Sequence, residues 1–156
     1  MSMIDIDKHF LYPANIWVAQ QPTIISTLLG TCVAVCLWDS RAKIGGMNHY
    51  LLPLWNGDGL ASPKYGNIAI HKLVDEMQAQ GASPKRMVAK IFGGKTSQKG
   101  GSVAYSIGLR NIQIAKEMLE ELQIPLLAES VGGEYGRTIK FDTESGKVYM
   151  KLIQGS

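Results

Sequence analysis

Thr23-Ile24-Ile25-Ser26-Thr27-Leu28-Leu29-Gly30-Thr31-Cys32-Val33-Ala34-Val35-Cys36-Leu37-Trp38 is the stretch whose reading decides the fold. It carries no Asp, Glu, Lys or Arg, and the charge-free run reaches back to Leu11. A membrane-spanning helix would need about 20 mostly apolar residues. Gln20, Gln21, Pro22, Ser26, Thr27, Gly30 and Thr31 interrupt the run, so no membrane insertion is expected. Thr23 to Leu29 is rich in β-branched residues and reads as a buried strand. Gly30 breaks it, and Val33 to Trp38 resumes as a second strand.

Working outward, Ile16-Trp17-Val18 reads as a short strand closed by Gln20-Gln21-Pro22. Asp39 to Lys43 is a polar turn, and Ile44 to Leu52 returns as a strand that stops at Pro53. Leu54 to Tyr65 is a loop. Its apolar residues Leu54, Trp55 and Leu60 are expected to fold back over the sheet or to meet a partner. Ile70, Leu73, Val74 and Met77 lie at i, i+3, i+4, i+7, one face of a helix that Gly81 closes. Ile114, Ala115, Met118, Leu119 and Leu122 make a second stripe, ended by Pro125. Met87 to Phe92, Leu126 to Val131, Thr138 to Phe141 and Val148 to Ile153 read as further strands, the last two joined by a turn at Gly146. The expectation is an α/β (α+β) layered sandwich with mixed β-sheets and two main helices.

The 156 residues fit a single domain, 1–156. Charged residues are 19% of the chain, against a usual ~25%, and the net charge is +3. With no dense Lys/Arg block there is no nucleic-acid footprint. The segment MSMIDIDKHF has no signal-peptide pattern. Two cysteines, Cys32 and Cys36, cannot make a disulfide scaffold. On one strand they would share a face about 13 Å apart, four rises of about 3.3 Å, too far for a disulfide. The expected setting is the cytoplasm.

Cys36, between Val35 and Leu37, reads as a small core hydrophobe. Cys32 sits at the break after Gly30, where a side chain can emerge from the sheet, and residue context alone leaves it open between a buried and an emergent thiol. A nucleophilic cysteine needs a base, because a free thiol is mostly protonated at neutral pH. Of the three histidines, His9 lies in a polar segment and His71 on a helix surface. A hairpin about Arg41-Ala42 would bring His49 across from the Cys32–Cys36 neighbourhood. His49 stands open between a base and an ordinary core or surface histidine. Gly94-Lys95-Thr96 is not a phosphate loop: the motif needs Gly at position 89, which is Ala, and Gly100-Gly101 are not expected to open a helix. Cys32, Cys36 and His49 are too few and badly spaced for zinc.

Leu29 to Leu37 followed by Gly45-Gly46-Met47-Asn48-His49-Tyr50-Leu51-Leu52-Pro53 resembles the CheD family of chemoreceptor glutamine deamidases. Ala89 to Gly94, Ile107-Gly108-Leu109-Arg110-Asn111, Gly132-Gly133 through Gly136-Arg137, and Gly146-Lys147-Val148 extend the likeness in order from about Ile16 to Leu152. The family's G-S-C string is Gly30-Thr31-Cys32 here, which keeps a hydroxyl.

The resemblance implies a cysteine amidohydrolase acting on Gln side chains of methyl-accepting chemotaxis receptors, without a cofactor or metal. The family cysteine falls on Cys32 and the histidine on His49. A hydroxyl residue that orients the histidine falls on Ser26, with Thr27 its neighbour. Backbone N–H groups of Thr31 and Cys32 are the expected oxyanion donors. The low charge around Cys32 would raise its pKa, so the reading requires a partner such as His49. The resemblance also implies a CheC-type phosphatase partner. The alternative function is accordingly a chemotaxis adaptor that binds and regulates such a phosphatase.

Overall fold

The Val33–Trp38 strand is buried on both of its faces, because it lies near the middle of the middle layer of three. The computed structural model describes residues 6–97 and 101–154. Its strands are β1 (Asp7–Phe10), β2 (Ile16–Ala19), β3 (Thr23–Leu29), β4 (Val33–Asp39), β5 (Ile44–Asn48), β6 (Met87–Gly93), β7 (Leu126–Val131), β8 (Gly136–Asp142) and β9 (Val148–Ile153). Its helices are α1 (Gly66–Ala79) and α2 (Gly101–Glu121), with a short 3-10 turn at Pro84–Arg86. Sheet I has the order β1-β3-β8-β9 and sheet II the order β2-β5-β4-β6-β7. Both sheets are mixed: β1–β3 and β6–β7 pair in parallel and the other pairs are antiparallel.

Side-chain alternation along β4 separates two cores. Val33, Val35 and Leu37 join Leu73, Ile70 and Met77 of α1 and Ala115 and Leu119 of α2. Ala34 and Cys36 point the other way and pack with Ile25, Leu29, Ile139 and Phe141 of sheet I. A strand in such a layer reads as an unbroken apolar run. Strand β3 lies in an outer layer and alternates instead: Thr23, Ile25, Thr27 and Leu29 are buried, while Leu28 is exposed.

Three boundaries differ from the sequence reading. Strand β1 was not expected; its polar Asp7-Lys8-His9 gives no strand signal, yet it pairs in parallel with Thr23–Ser26. Strand β5 stops at Asn48, not Leu52, because Asn48 Oδ1 accepts the Val35 N–H at 2.8 Å in place of a backbone carbonyl. Pairing then resumes as an isolated Val33–Tyr50 bridge. Helix α2 begins at Gly101, which contradicts the expectation that this glycine opens no helix; Gly100 lies outside the described residues. The first turns of α2 leave Val103, Tyr105 and Leu109 exposed and make their close approach through Gly108, so they carry no apolar stripe. Leu54 and Leu60 are exposed and do not fold back over the sheet.

One buried carboxylate fastens the β4–β5 turn. Asp39 is fully buried. It accepts the amides of Arg41 at 3.0 Å, Ala42 at 3.1 Å and Ser83 at 2.9 Å, and forms an ion pair with Arg86 at 2.9 Å. Burial alone would raise its pKa, but the Arg86 guanidinium and the Ser83 and Ala42 amides outweigh that and hold it at about 2. Asp39→Asn should therefore lower unfolding free energy at neutral pH by about 2–3 kcal/mol in denaturant titrations. The wild-type advantage should be full above pH ~4, the ordinary carboxyl range, and fade as pH falls through the folded-state value.

Candidate functional site

Cys32 and His49 lie on the same face of sheet II, turned toward sheet I. The backbone of Val33 and Tyr50 exchanges both hydrogen bonds, at 3.1 and 3.0 Å. Val33 and Tyr50 face the helices. Their neighbours Cys32 and His49 therefore face the inter-sheet space. The register sets Ala34 opposite His49 and makes Cys32 its diagonal neighbour. Diagonal cross-strand pairs are roughly 7–8 Å apart at Cα, within reach of long side chains. The expected hairpin thus places Cys32 and His49 as diagonal neighbours facing the same inter-sheet space. Cys32 is part-exposed and Cys36 is buried, and both are free thiols. His71 is exposed, and His9 stacks on Trp17 with ring centroids 4.0 Å apart.

The hydroxyl beside His49 belongs to Thr27, not Ser26. Thr27 Oγ1 lies 2.7 Å from His49 Nδ1, both groups buried. Ser26 is one residue earlier on β3, and successive strand residues face opposite sides, so its side chain is on the outer face of sheet I. Alternation in the sequence does not separate them, because both faces read as Ile, a hydroxyl residue and Leu: Ile25, Thr27 and Leu29 on one, Ile24, Ser26 and Leu28 on the other.

The direction of this hydrogen bond follows from a second one. Thr27 Oγ1 also lies 2.6 Å from the carbonyl oxygen of Leu11, which can only accept. The single hydroxyl proton is committed there, so Thr27 must accept from His49 Nδ1–H. That fixes the imidazole tautomer and leaves Nε2 as the basic nitrogen. Leu11 is itself held by its N–H to the Ser26 carbonyl at 2.8 Å, and Ala14 N–H holds the His49 carbonyl at 2.8 Å. The segment after β1, absent from the sequence reading, is thus what orders the relay.

The corner Gly30–Cys32 is tied down through its carbonyls. Gly30 accepts from Lys95 N–H at 2.9 Å, and Cys32 from Gly94 N–H at 2.8 Å. Thr31 accepts from Asn111 Nδ2 at 3.0 Å. Among the described residues no backbone carbonyl outside this corner takes the Thr31 or Cys32 amide. Gly93 explains the glycine pair after β6: its φ is 105°, and a Cβ there would sit 2.2 Å from the Cys32 carbonyl oxygen. Arg137, a buried cation beside this corner, is spread over carbonyls. It donates to Gly132 at 2.8 Å, Tyr135 at 3.3 Å and Gly93 at 3.4 Å, and to Ser130 Oγ at 3.0 Å.

The electrostatics oppose a resting ion pair. Burial pushes the Cys32 thiol up, and its own backbone N–H only partly counteracts this. Burial pushes the His49 imidazole down to about 4. At neutral pH both groups are therefore held toward their neutral forms.

Comparison with known proteins gives the family. The family model described as CheD chemotactic sensory transduction matches residues 51–152. A Sulfurimonas denitrificans protein named probable chemoreceptor glutamine deamidase CheD is 48% identical over 97% of each chain. The chain belongs to the CheD family. Proteins of the same name from Trichlorobacter lovleyi and Rhodospirillum rubrum are 48% and 41% identical, covering 93% and 96% of this chain and 90% and 84% of theirs. Cys32 and His49 precede the stretch matched by the family model, and the CheD-named relatives extend the likeness to nearly the whole chain. A solved Neisseria meningitidis structure of the DUF152 family shares the fold at 8% identity, with a TM-score of 0.50 over 83% of this chain and 65% of that one.

The relay can be probed without any substrate. Thr27→Val keeps the shape but removes both hydrogen bonds, and should slow alkylation of Cys32 at pH 7 by roughly tenfold. Ser26→Ala should leave the rate within about twofold, as expected for a side chain on the far face. Peptide mapping with Cys36 as the buried internal reference measures both.

Proposed function

We propose that this chain deamidates glutamine side chains of chemoreceptors, with Cys32 as nucleophile, His49 as general base and acid, and Thr27 as the group that orients His49. The observation that carries this reading is the directed hydrogen bond from His49 Nδ1 to Thr27, which leaves Nε2 basic on the face that Cys32 shares.

In the proposed reaction His49 Nε2 takes the Cys32 proton as sulfur attacks the side-chain carbonyl carbon. The S–C bond forms and the carbonyl electrons move onto oxygen, giving a tetrahedral oxyanion that the Thr31 and Cys32 amides stabilise. As the C–N bond breaks, the proton on His49 goes to the departing ammonia and a thioester remains. Water, deprotonated by the same imidazole, attacks the thioester; the thiol leaves, takes back its proton, and Glu is the product. Because His49 is neutral down to about pH 4, the acid limb of kcat/KM should fall well below the ordinary imidazole value of about 6.5. The CheD names of the relatives support a chemoreceptor substrate. Free thiols suit the reducing cytoplasm, where we place the reaction.

The test is a receptor cytoplasmic fragment incubated with the protein and followed by mass spectrometry. Wild type should convert Gln to Glu, and Cys32→Ala should abolish conversion while Cys36→Ala keeps it. Conversion by Cys32→Ala would overturn the nucleophile assignment. Docking to a CheC-type phosphatase is the companion reading. Exposed Leu54 and Leu60 offer apolar surface for it, and a Cys32→Ala protein that no longer deamidates but still binds such a phosphatase would separate the two roles.

A further inference from the structure

Asn111 of α2 connects the two chain segments that carry the thiol and the imidazole. Its side chain is fully buried. One Nδ2 hydrogen is donated to the Thr31 carbonyl at 3.0 Å, the residue before Cys32. The other goes to the Leu51 carbonyl at 2.9 Å, two residues after His49. Its backbone carbonyl accepts the hydroxyl of Tyr50, the residue after His49. Helix α2 comes this close because Gly108, one turn earlier, has no side chain: a Cβ there would lie 2.1 Å from the Lys95 carbonyl oxygen, and Lys95 N–H holds Gly30. The two residues after His49, Tyr50 and Leu51, and the residue preceding Cys32 thus meet at Asn111.

The arrangement differs from ordinary core packing in one respect. Asn111 Oδ1 is buried without a hydrogen-bond partner. An orphaned acceptor of this kind costs stability. An apolar residue of similar size would avoid that cost but could not donate to both carbonyls. The site keeps the donors at the expense of the acceptor.

We propose that Asn111 is a positioning residue that sets the Cys32–His49 geometry by clamping Thr31 and Leu51 through its two N–H groups. It does not touch the reacting atoms; it fixes the distance across which the proton moves and the direction of the Thr31 and Cys32 amides. The proposal rests on the deamidase reading for its kinetic consequences, but its geometric content does not.

The test compares Asn111→Ala and the isosteric Asn111→Asp with wild type. Asp39→Asn, remote from the site, serves as a control for lost stability. Each protein is measured for thermal midpoint, for Cys32 alkylation at pH 7, and for kcat and KM on a receptor fragment. Both Asn111 variants should lower kcat at least tenfold with KM within twofold, and slow Cys32 alkylation at least fivefold. Asp39→Asn should leave all three within twofold despite a lower midpoint. Asn111→Asp should be as impaired as Asn111→Ala although it keeps the volume, because its carboxylate has no donor to offer. If either Asn111 variant that folds retains near-wild-type kcat and alkylation, or if Asp39→Asn loses as much, the proposal is overturned. If wild type alkylates faster at Cys32 than at Cys36 but deamidates no receptor, the deamidase reading fails. The alkylation comparison then still decides the clamp.

Discussion

Everything at this site depends on one proton, that of the Thr27 hydroxyl. It is donated to the Leu11 carbonyl, and that commitment forces His49 to donate its own Nδ1 proton to Thr27. A carboxylate in this place would also fix the tautomer, and would stabilise imidazolium besides. A hydroxyl supplies the orientation without the charge. These hydrogen bonds cross between the two sheets, so the packing of sheet I on sheet II, and not a local turn, holds the imidazole in place.

The absence of charge has consequences for the chemistry. The thiol and imidazole are both pushed toward their neutral forms by burial. A thiolate–imidazolium pair would be a more reactive resting state, but the cation beside this corner, Arg137, is spread over carbonyls and the Ser130 hydroxyl. In the proposed reaction, stabilisation falls instead where charge develops, at the backbone amides of the Gly30–Cys32 corner. The carbonyls of that corner are drawn away by Lys95, Asn111 and Gly94, and Arg137 braces the Gly93 and Gly132 loops behind it. The uncharged run from Leu11 to Trp38 is the sequence trace of this design: β4 is buried on both faces and β3 on one.

Much of this was legible in the residues. The apolar run Val33–Trp38, the polar turn and the return strand gave the hairpin, and the hairpin placed His49 across from the Cys32–Cys36 neighbourhood. The two helical stripes gave the helix-covered layer. What was hidden lacked a periodic signal. Asp7–Phe10 is largely polar and joins a sheet edge through parallel pairing to Thr23–Ser26 of β3. The first turns of α2 approach the protein through a glycine and backbone contacts. Asn48 ends its strand by a side-chain hydrogen bond that mimics the ladder. The choice between Ser26 and Thr27 turned on strand parity, which a family offset of six residues cannot resolve when a single shift moves a side chain to the opposite face.

Nitrogen-15 NMR of the His49 imidazole at neutral pH tests the central claim most directly. A neutral ring with the proton on Nδ1 and a bare Nε2 is expected, unchanged in Ser26→Ala and lost as a single tautomer in Thr27→Val. A ring protonated on Nε2, or an imidazolium at pH 7, would contradict it.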